Sequence, residues 1–585
     1  MHSSKTFSGV VITLIAILKL VTCDFKLLLL HTNDMHSRFE ETNAHSGQCV
    51  RGKCYGGFAR LKTAVDKMRT EARERGSSSV FLNAGDTFQG SIYYTAFKWK
   101  VASELLNMMN IDVMSLGNHE FDDGPAGLAP FIANSSVPIV CSNIDLTDPT
   151  FHNLTQISPS KVLDIDGVKV GVIGYLTPET KFLSSLGDIE LRDEIAEIKK
   201  EAAHLKEAGV KILIALGHSG YTTDKLIAEH VPDLDVVVGG HTNTFLYSGH
   251  GPDLEKSEGV YPTVVTQPSG RRVLVVQAYA FTKYLGHLEL IFDDEGEVIK
   301  SKGNPILIDD SFKKDGAVER AVLRYGNDLK HLTGRKIGFS KTFLEADLAC
   351  RLGECNFGNL VTDALVDCNA KDFYGTGWTD VPIAFMQGGS LRASIDTQEK
   401  GGVIIYSDLL TTLPFQNSVE RLTMTGTLLQ QVLEHSVSRY SKEERVGGFL
   451  QYSGIQVEYD LTKPPMSRVV SAKVRCGHCK VPHYIPLEGI KEYEVLTTTF
   501  LSDGGDGYTM LKNVMARNTL SFSDVDAVEI YLKRVSPVYP EVSGRIRFVD
   551  NTSPIPEPSS APSSLTWSYL LILTAQLTTT LLLKP

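Results

Sequence analysis

The chain has 585 residues, of which 42% are hydrophobic, and its formal net charge is −11. A chain of this length exceeds what one hydrophobic core usually organises, so we expect two large domains. The acidic balance offers no basic surface for a phosphate backbone, which argues against polymeric DNA or RNA as a partner. An anionic ligand would have to be held by a few local arginines.

The amino-terminal segment has the layout of a secretory signal peptide, assigned to residues 1–23. Lys5 precedes an apolar stretch over residues 10–21, and Thr22-Cys23-Asp24 follows it. We therefore expect cleavage near Cys23 and an exported mature chain that begins near Asp24. Eight cysteines remain of the nine once Cys23 is removed, in keeping with an oxidising compartment.

Five apolar runs in the first half of the chain predict buried parallel strands: 26–30, 79–83, 111–116, 210–216 and 234–238. Polar residues follow each run. They form the motifs Asp34-Met35-His36, Gly85-Asp86, Gly117-Asn118-His119-Glu120, Phe121-Asp122, Gly217-His218 and Gly240-His241. Ligands of α/β sheets gather at the carboxyl ends of the strands, so we expect these motifs to converge on one site.

The side chains in these motifs predict a centre with two divalent metal ions. Carboxylate, imidazole and amide oxygen together suit zinc, manganese or iron, and zinc is the metal we expect. The predicted ligands are Asp34, His36, Asp86, Asn118, His218 and His241. Two metals about 3.5 to 4 Å apart need a shared anionic ligand, and Asp86 is assigned that role.

The remaining ligands divide between the two ions. Asp34 and His36 would complete one ion, and Asn243 would contact it directly or through water. Asn118, His218 and His241 would complete the other ion, with positions left for water and a phosphate oxygen. A single Asp or His at a strand end is more often a cap or a core residue. The complete set is what favours the metal interpretation.

His119 and Asp122 are interpreted as a catalytic dyad. Their spacing of three residues lets the carboxylate meet the imidazole on one turn. The ions would lower the pKa of water toward about 7 for in-line attack on phosphorus, while His119 steadies the phosphoryl oxygens or the leaving group. The alternative is that His119 only braces Asn118.

The segments HTNDMHSR, NAGDTFQGS, GNHEFD, LGHSG and GGHTNTFLYSG resemble the calcineurin-like metallophosphoesterase domain of the 5'-nucleotidase family. The resemblance covers nearly the whole mature chain and is closest to the animal ecto-5'-nucleotidases. It implies an N-terminal four-layer α/β metallophosphoesterase domain over residues 24–310. A C-terminal α/β nucleotide-binding domain would cover residues 335–549, with a linker helix over residues 311–334 between them.

The pattern of residues 311–332 also predicts the linker helix, because its apolar residues recur at helical spacing. These apolar residues are Ala317, Val318, Ala321, Val322 and Leu329. In the family this joint allows a large rotation between open and closed states.

The resemblance assigns the nucleoside-binding residues to the second domain. Arg351 and Arg392 would hold phosphate and ribose oxygens, because guanidinium forks suit such oxygens. Phe415 and Phe500 would sandwich the base, although without the family both would be interpreted as core residues. Asp506 would accept hydrogen bonds from the ribose hydroxyls. Gln387 stands where vertebrate relatives usually have asparagine, which could shift base or ribose preference.

Three cysteine pairs are close in sequence and match family positions: Cys49–Cys54, Cys350–Cys355 and Cys476–Cys479. The motif Cys476-Gly477-His478-Cys479 also copies a disulfide-isomerase redox motif, but Pro482 and β-like flanks favour a staple across a hairpin. Cys141 and Cys368 are expected to be free and buried. Asn134 and Asn153 lie in glycosylation sequons of the first domain.

The carboxyl-terminal segment, residues 551–585, has the layout of a GPI-anchor signal. A sequon at Asn551 is followed by a polar, proline-rich spacer and by an apolar tail over residues 565–583. Asn551 is the predicted attachment residue, with Ser559 and Ser560 as alternatives. The tail is just long enough to span a membrane, but only Lys584 and Pro585 follow it, so a transmembrane anchor is the second choice.

We therefore expect a GPI-anchored ecto-5'-nucleotidase that cleaves extracellular AMP to adenosine and phosphate on the outer face of the cell membrane. A homodimer formed through the C-terminal domains is a further expectation. The catalytic alternatives in the same family are an apyrase acting on ATP and ADP and a UDP-sugar hydrolase. From another class, a catalytically dead adhesion ectodomain is disfavoured by the complete ligand and dyad sets.

Overall fold

The computed structural model describes residues 24–549, apart from residues 50–51, 146–148 and 152–153. The predicted signal peptide, the anchor segment with Asn551, Ser559 and Ser560, and the sequon residue Asn153 lie outside the described residues. Within the part that is described, no helix is long and apolar enough to cross a membrane.

The N-terminal domain contains two sheets packed face to face. The first sheet has, in spatial order, the strands Val298–Gly303, Tyr284–Phe292, Phe25–Thr32, Ser78–Asn83, Val113–Ser115, Ile139–Val140 and Ile157–Ser158, and Ile306–Leu307 pairs with Tyr284–Phe292. The second sheet has the strands Thr263–Thr266, Arg272–Val276, Val236–Val238, Ile212–His218, Val168–Leu176 and Ser160–Ile165. A short ladder joins Ile144–Asp145 to Glu190–Leu191.

Helices cover the outer faces of both sheets. The α-helices are Phe58–Glu74, Ile92–Phe97, Trp99–Asn107, Gly124–Asn134, Thr180–Leu183, Glu194–Glu207 and Tyr221–His230, and Asn118–Phe121 and Pro149–Phe151 are 3-10 turns. The described part of this domain thus has the four layers that the resemblance implies.

Alternation along the strands explains the layering. In the strand Phe25–Thr32, Leu27 and Leu29 pack in the core between the two sheets, together with Ile214 of the second sheet. Leu28 and Leu30 face the other way, into the core shared with the helix Phe58–Glu74. Because successive side chains of a strand point to opposite faces, a continuous apolar run serves both cores.

The five predicted strands exist, but they belong to two different sheets. Runs 26–30, 79–83 and 111–116 lie in the first sheet, and runs 210–216 and 234–238 lie in the second. Their carboxyl ends still meet, because the parallel strands of both sheets end at the same edge of the sandwich.

The linker helix spans Gly316–Thr333, within the range predicted from the sequence. It begins after residue 311 because Ser311 is held in a turn by the Asp309 carboxylate, whereas Asp315 caps the helix by accepting from two backbone N–H groups. Of the predicted apolar face, Ala317 in the first turn is exposed, whereas the other four residues are buried. The Tyr325 hydroxyl donates to Glu104 Oε2 at 2.6 Å and docks the helix on that domain.

The C-terminal domain is a second α/β unit. Its main sheet has the strands Leu450–Ser453, Ile383–Gln387, Glu492–Thr498, Ser418–Thr425 and Ala516–Ser523, and a smaller sheet has Tyr484–Pro486, Val469–Arg475, Ile455–Tyr459 and Ile546–Phe548. Lys336–Phe339 pairs with Val403–Ile405. The helices are Asn356–Ala370, Tyr406–Thr412, Gly426–Ser436, Thr499–Ser502 and Asp524–Val535, with 3-10 turns at Asp347–Arg351, Gly388–Ser390, Gln398–Lys400, Gly505–Gly507 and Thr509–Asn513.

The cysteines pair as the resemblance implies. Disulfides join Cys49 to Cys54, Cys350 to Cys355 and Cys476 to Cys479. The last of these lies between the antiparallel strands Val469–Arg475 and Tyr484–Pro486, so it staples a hairpin. Cys141 and Cys368 are free and buried, and burial raises the pKa of the Cys141 thiol to about 12.

The described sequon residue, Asn134, is exposed at the end of the helix Gly124–Asn134. Its side-chain amide donates to the Pro130 carbonyl at 2.8 Å. Attachment of a glycan at Asn134 stays a prediction.

Candidate active site

Tight backbone turns deliver the predicted metal ligands to one crevice. Asp34 and His36, after the strand Phe25–Thr32, have φ angles of 49° and 47°, and Asp86, after Ser78–Asn83, has a φ of 52°. Such left-handed residues are uncommon, and here they turn the chain sharply at the strand ends. Gly117 is required for close approach, because a Cβ at this position would lie 2.2 Å from Asp86 Oδ1.

Asp86 lies between the imidazoles of two other predicted ligands. Its Oδ2 is 2.9 Å from His218 Nε2 and 3.8 Å from His36 Nε2. His218 Nδ1 lies 2.7 Å from the Ala84 carbonyl, to which it donates, so that Nε2 is directed toward the carboxylates. The Asp86 carboxylate therefore lies within reach of both groups of predicted ligands.

The second group of predicted ligands also meets in this crevice. His241 Nδ1 lies 2.9 Å from Asn118 Oδ1, and the His241 ring is 5.2 Å from the His218 ring between centroids. Ligand atoms of Asp86, His218 and His241 lie within 4.8 Å of one another. The same holds for His36, Asp86 and His119.

The donor set fits divalent ions. Asp34 Oδ1 and Asn243 Oδ1 are buried, and neither has a hydrogen-bond partner among the described residues. Burial disfavours the charged form of His218, yet Asp86 and Asp34 outweigh burial and raise its pKa to about 10. The two carboxylates thus favour a positive charge in the crevice, and a bound metal ion would provide that charge.

His119 and Asp122 are joined as the sequence predicts. His119 Nδ1 donates to Asp122 Oδ2 at 2.8 Å, and the Ser184 hydroxyl donates to Asp122 Oδ1 at 2.7 Å. Burial lowers the pKa of His119, but Asp122 and Asp86 outweigh burial and raise this pKa above its ordinary value. The imidazole is therefore fixed in orientation and favoured in its protonated form.

The second domain reaches into the crevice through arginines. Arg392 Nη2 lies 2.8 Å from His36 Nε2. Arg351 follows Cys350 of the small disulfide loop and contacts the Arg445 carbonyl through Nη1 at 3.3 Å. Both guanidinium groups thus line the cleft between the two domains.

The other predicted nucleoside contacts lie nearby. The Phe415 ring stacks on the His119 ring with centroids 5.8 Å apart, and Phe500 is half-buried. Gln387 Oε1 is buried without a hydrogen-bond partner among the described residues. Burial raises the pKa of Asp506 to about 6, although Arg439 and Arg351 oppose the shift.

One cleft with a cavity volume of about 1080 Å³ collects these side chains from both domains. The predicted residues that line it are His36, Asp86, Asn118, His119, Asp122, Asn243, His241, Arg351, Gln387, Arg392, Phe415, Phe500 and Asp506. Asp34 and His218 lie behind this lining and are fully buried. The geometry therefore brings these predicted site residues together at one place.

Two ion pairs between the domains were not predicted from the sequence. Arg439 Nη1 lies 2.7 Å from Glu179 Oε2, and Arg445 Nη1 lies 3.0 Å from Glu258 Oε1. Both pairs lie beside the cleft and hold the domains together. The sequence does not predict these pairs, since charged residues in loops usually lie on a solvated surface and nothing local indicates their partners.

A layer of buried polar residues behind the ligands was also missed. Asn33 Nδ2 donates to Asp34 Oδ2 at 2.7 Å, and Gln277 Nε2 donates to the Gly240 carbonyl at 3.1 Å. Asp224 accepts from Gln277 Nε2 at 2.7 Å and so orients that amide. Polar residues inside or next to apolar runs were the only signal that could have revealed this layer.

Comparison with known proteins agrees with the geometry. Residues 27–245 match the calcineurin-like phosphoesterase family, and residues 336–513 match the 5'-nucleotidase C-terminal domain. The 5'-nucleotidase of Homo sapiens is 40% identical over 529 residues, which cover 90% of this chain and 91% of the human one. The snake venom 5'-nucleotidase of Naja atra is 43% identical, with coverage of 90% and 99% respectively.

A solved structure extends the similarity to three dimensions. The 5'-nucleotidase precursor from Thermus thermophilus matches with a TM-score of 0.82 and 33% identity, covering 91% of this chain and 100% of the bacterial one. The sandwich of two sheets and the crevice at its edge together define the N-terminal domain as a calcineurin-like phosphoesterase domain. Since the relatives match across both domains, the chain belongs to the 5'-nucleotidase family of hydrolases.

Proposed function

We propose that the protein is an ecto-5'-nucleotidase that hydrolyses AMP to adenosine and phosphate with two zinc ions. The observation that carries this proposal is the composition of the cleft walls. One wall holds carboxylate, imidazole and amide ligands, and the facing wall holds arginines, two phenylalanines and a buried aspartate. A ligand with a phosphate at one end and a stacking base at the other matches both walls.

The first domain would carry the chemistry. Asp34, His36 and Asp86 would hold one ion, and Asp86, Asn118, His218 and His241 the other, with Asn243 beside the first. Bound divalent ions supply Lewis acidity and lower the pKa of water. His119, oriented by Asp122, would steady the phosphoryl oxygens or donate a proton from Nε2 to the departing ribose oxygen.

The second domain would carry recognition. Arg351 and Arg392 would contact phosphate and ribose oxygens, and Phe415 and Phe500 would stack on the base. Asp506 would accept from the ribose hydroxyls, and the buried Gln387 Oε1 would accept from the base or ribose. Two copies of the chain would associate through their C-terminal domains.

Residues 1–23 and 551–585 support an extracellular location. We propose cleavage near Cys23, attachment of a GPI lipid at Asn551 and removal of the apolar tail. The acidic chain and the hydrophobic tail fit a protein held at the outer membrane surface by lipid.

The substrate proposal is tested by offering the purified enzyme AMP, ADP, ATP and UDP-glucose, with phosphate and nucleoside measured separately. We expect adenosine and phosphate in equal amounts from AMP and slow turnover of the other three. Dominant accumulation of AMP from ATP or ADP would identify an apyrase instead. Release of UMP from UDP-glucose as the main reaction would identify a UDP-sugar hydrolase.

A further inference from the structure

Glu120 is the last residue of the motif Gly117-Asn118-His119-Glu120, and the sequence assigns it no role. Its side chain is fully buried, and both carboxylate oxygens accept backbone hydrogen bonds. Gly117 N–H and Asp86 N–H donate to Oε2 at 2.6 and 2.9 Å. Thr87 N–H and Phe88 N–H donate to Oε1 at 2.7 and 3.0 Å.

Three of these bonds join the two loops on which the metal centre depends, and the fourth, from Gly117, lies within the turn that carries Glu120 itself. One loop carries Asp86, and the other carries Asn118 and His119. The backbones of the loops touch, because a Cβ on Gly85 would lie 2.5 Å from Gly117 N. No side chain can pack between them at this point, so hydrogen bonds must set their separation.

A direct bond also crosses between the loops. His119 N–H donates to Asp86 Oδ1 at 2.9 Å. This bond uses a carboxylate oxygen of the predicted bridging ligand, which an ion would compete for. The four bonds of Glu120 are made to backbone groups, so they are independent of what the ligand side chains bind.

We propose that Glu120 is a positioning residue that holds the Asp86 loop against the Asn118–His119 turn and so fixes the metal centre before any ion binds. The inference rests on the proposed two-metal function. A carboxylate suits this role because it is an acceptor only, with capacity for several bonds, and bonds to a charged acceptor are stronger than neutral ones. Glutamine has the same shape, but its amide NH₂ would face two N–H donors and leave them buried without partners.

The test compares Glu120→Gln with a matched variant at a residue of the second domain that does not line the cleft. Glu434 is also buried, and it accepts from the backbone N–H groups of Arg468 and Val469 at 2.7 and 3.0 Å. Glu434→Gln therefore removes the same kind of bond without touching the metal centre. Each full-length variant is depleted of metal and titrated with Zn²⁺ or Mn²⁺ against a competing chelator, and occupancy is checked by elemental analysis.

We expect Glu120→Gln to weaken metal affinity about 10- to 100-fold, as is typical when a partner behind a metal ligand is lost. Glu434→Gln should bind metal like the unmodified protein, whatever its thermal stability. Glu120→Asp keeps the charge and should recover part of the affinity. Equal metal affinity in Glu120→Gln and Glu434→Gln would overturn the proposal.

A measurement on the unmodified protein covers the case in which Glu120→Gln does not fold. Amide hydrogen exchange is followed in metal-depleted enzyme for peptides that span residues 84–90 and 116–121. We expect slow exchange of both peptides without metal. Fast exchange there, while the strand Phe25–Thr32 stays protected, would show that Glu120 does not hold the loops. Neither measurement uses AMP, so failure of the proposal about Glu120 can be told apart from failure of the proposal that AMP is the substrate.

Discussion

The Arg392 guanidinium of the second domain lies 2.8 Å from Nε2 of His36, a predicted metal ligand of the first domain. The arginine is a donor only, so His36 Nε2 acts as the acceptor in this contact. Burial, followed by Arg392, holds the pKa of His36 well below its usual range. A predicted substrate-binding residue of the second domain is therefore in direct contact with a predicted metal ligand of the first domain.

Arg392→Lys should lower kcat/KM for AMP about 10- to 100-fold, because a lysine cannot form the planar fork that holds phosphate oxygens. Hydrolysis of p-nitrophenyl phosphate should fall by a similar factor, since that substrate also has a phosphate. Steady-state kinetics on both substrates measure this. Arg73→Lys, on the exposed face of the helix Phe58–Glu74, is the matched control and should change neither substrate.

Chelation should abolish turnover, and zinc or manganese should restore it.

Asp86→Asn should lose both ions, because it removes the proposed bridge. His119→Asn should keep both ions and lower kcat about 10²- to 10⁴-fold, since it removes only the proton donor. Elemental analysis beside kinetics separates the two variants. Metal loss from His119→Asn would contradict the role given to His119.

Phe500→Ala should raise KM for AMP roughly five- to 150-fold, as expected when one stacking face worth about 1 to 3 kcal/mol is lost. Hydrolysis of p-nitrophenyl phosphate should barely change, because that substrate has no ribose and little reach toward the base pocket. Phe339→Ala removes a partly exposed phenylalanine of the same domain that does not line the cleft, and it should leave both KM values alone. Equal slowing of both substrates by Phe500→Ala would make Phe500 a structural core residue.

The ion pair between Arg445 and Glu258 should support closure of the domains. Glu258→Lys and Arg445→Glu should each lower kcat/KM about fivefold or more, because each places like charges across the interface. The double variant restores opposite charges and should recover most of the activity. A double variant that is no better than the worse single variant would show that the pair does not act as a unit.

Phosphatidylinositol-specific phospholipase C should release active enzyme from intact cells, since lipid alone would hold the mature chain. Activity in the supernatant and mass spectrometry of the carboxyl terminus measure this. Resistance to the lipase, with the tail at residues 565–583 still present, would establish a transmembrane anchor. Asn551→Gln should move or abolish attachment, whereas Ser559→Val and Ser560→Val should not.

The parts of the fold that could be predicted are those that depend only on residues close together in the sequence. Asp34, Asp86 and His218 each come at or just after the end of an apolar run, and that order alone places a polar side chain at a strand end. The pairing of strands is different, because it depends on contacts between distant segments. The sequence therefore predicted Val113–Ser115 and Val236–Val238 as strands but did not assign them to opposite sheets.

The residues behind the ligands were not predictable for a related reason. Glu120 and Gln277 act through backbone groups of loops, and a backbone N–H or carbonyl has no sequence signature. The cross-domain pair of Arg439 and Glu179 depends on how the two domains close, which no local pattern encodes. The resemblance to a family supplied the nucleoside contacts, which periodicity alone would have assigned to the core.

The loop closed by Cys350 and Cys355 has a consequence for producing the enzyme. Gln451 Nε2 donates to the carbonyls of Cys350 and Gly353 at 2.9 and 2.7 Å, so the loop is held from behind as well as closed by the disulfide. Arg351 lies within this loop, so the disulfide and the two hydrogen bonds from Gln451 restrict its position. Expression in a reducing bacterial cytoplasm should therefore yield folded protein with a loosened Arg351 and poor nucleotide affinity. Export to an oxidising periplasm should recover that affinity without any change of sequence.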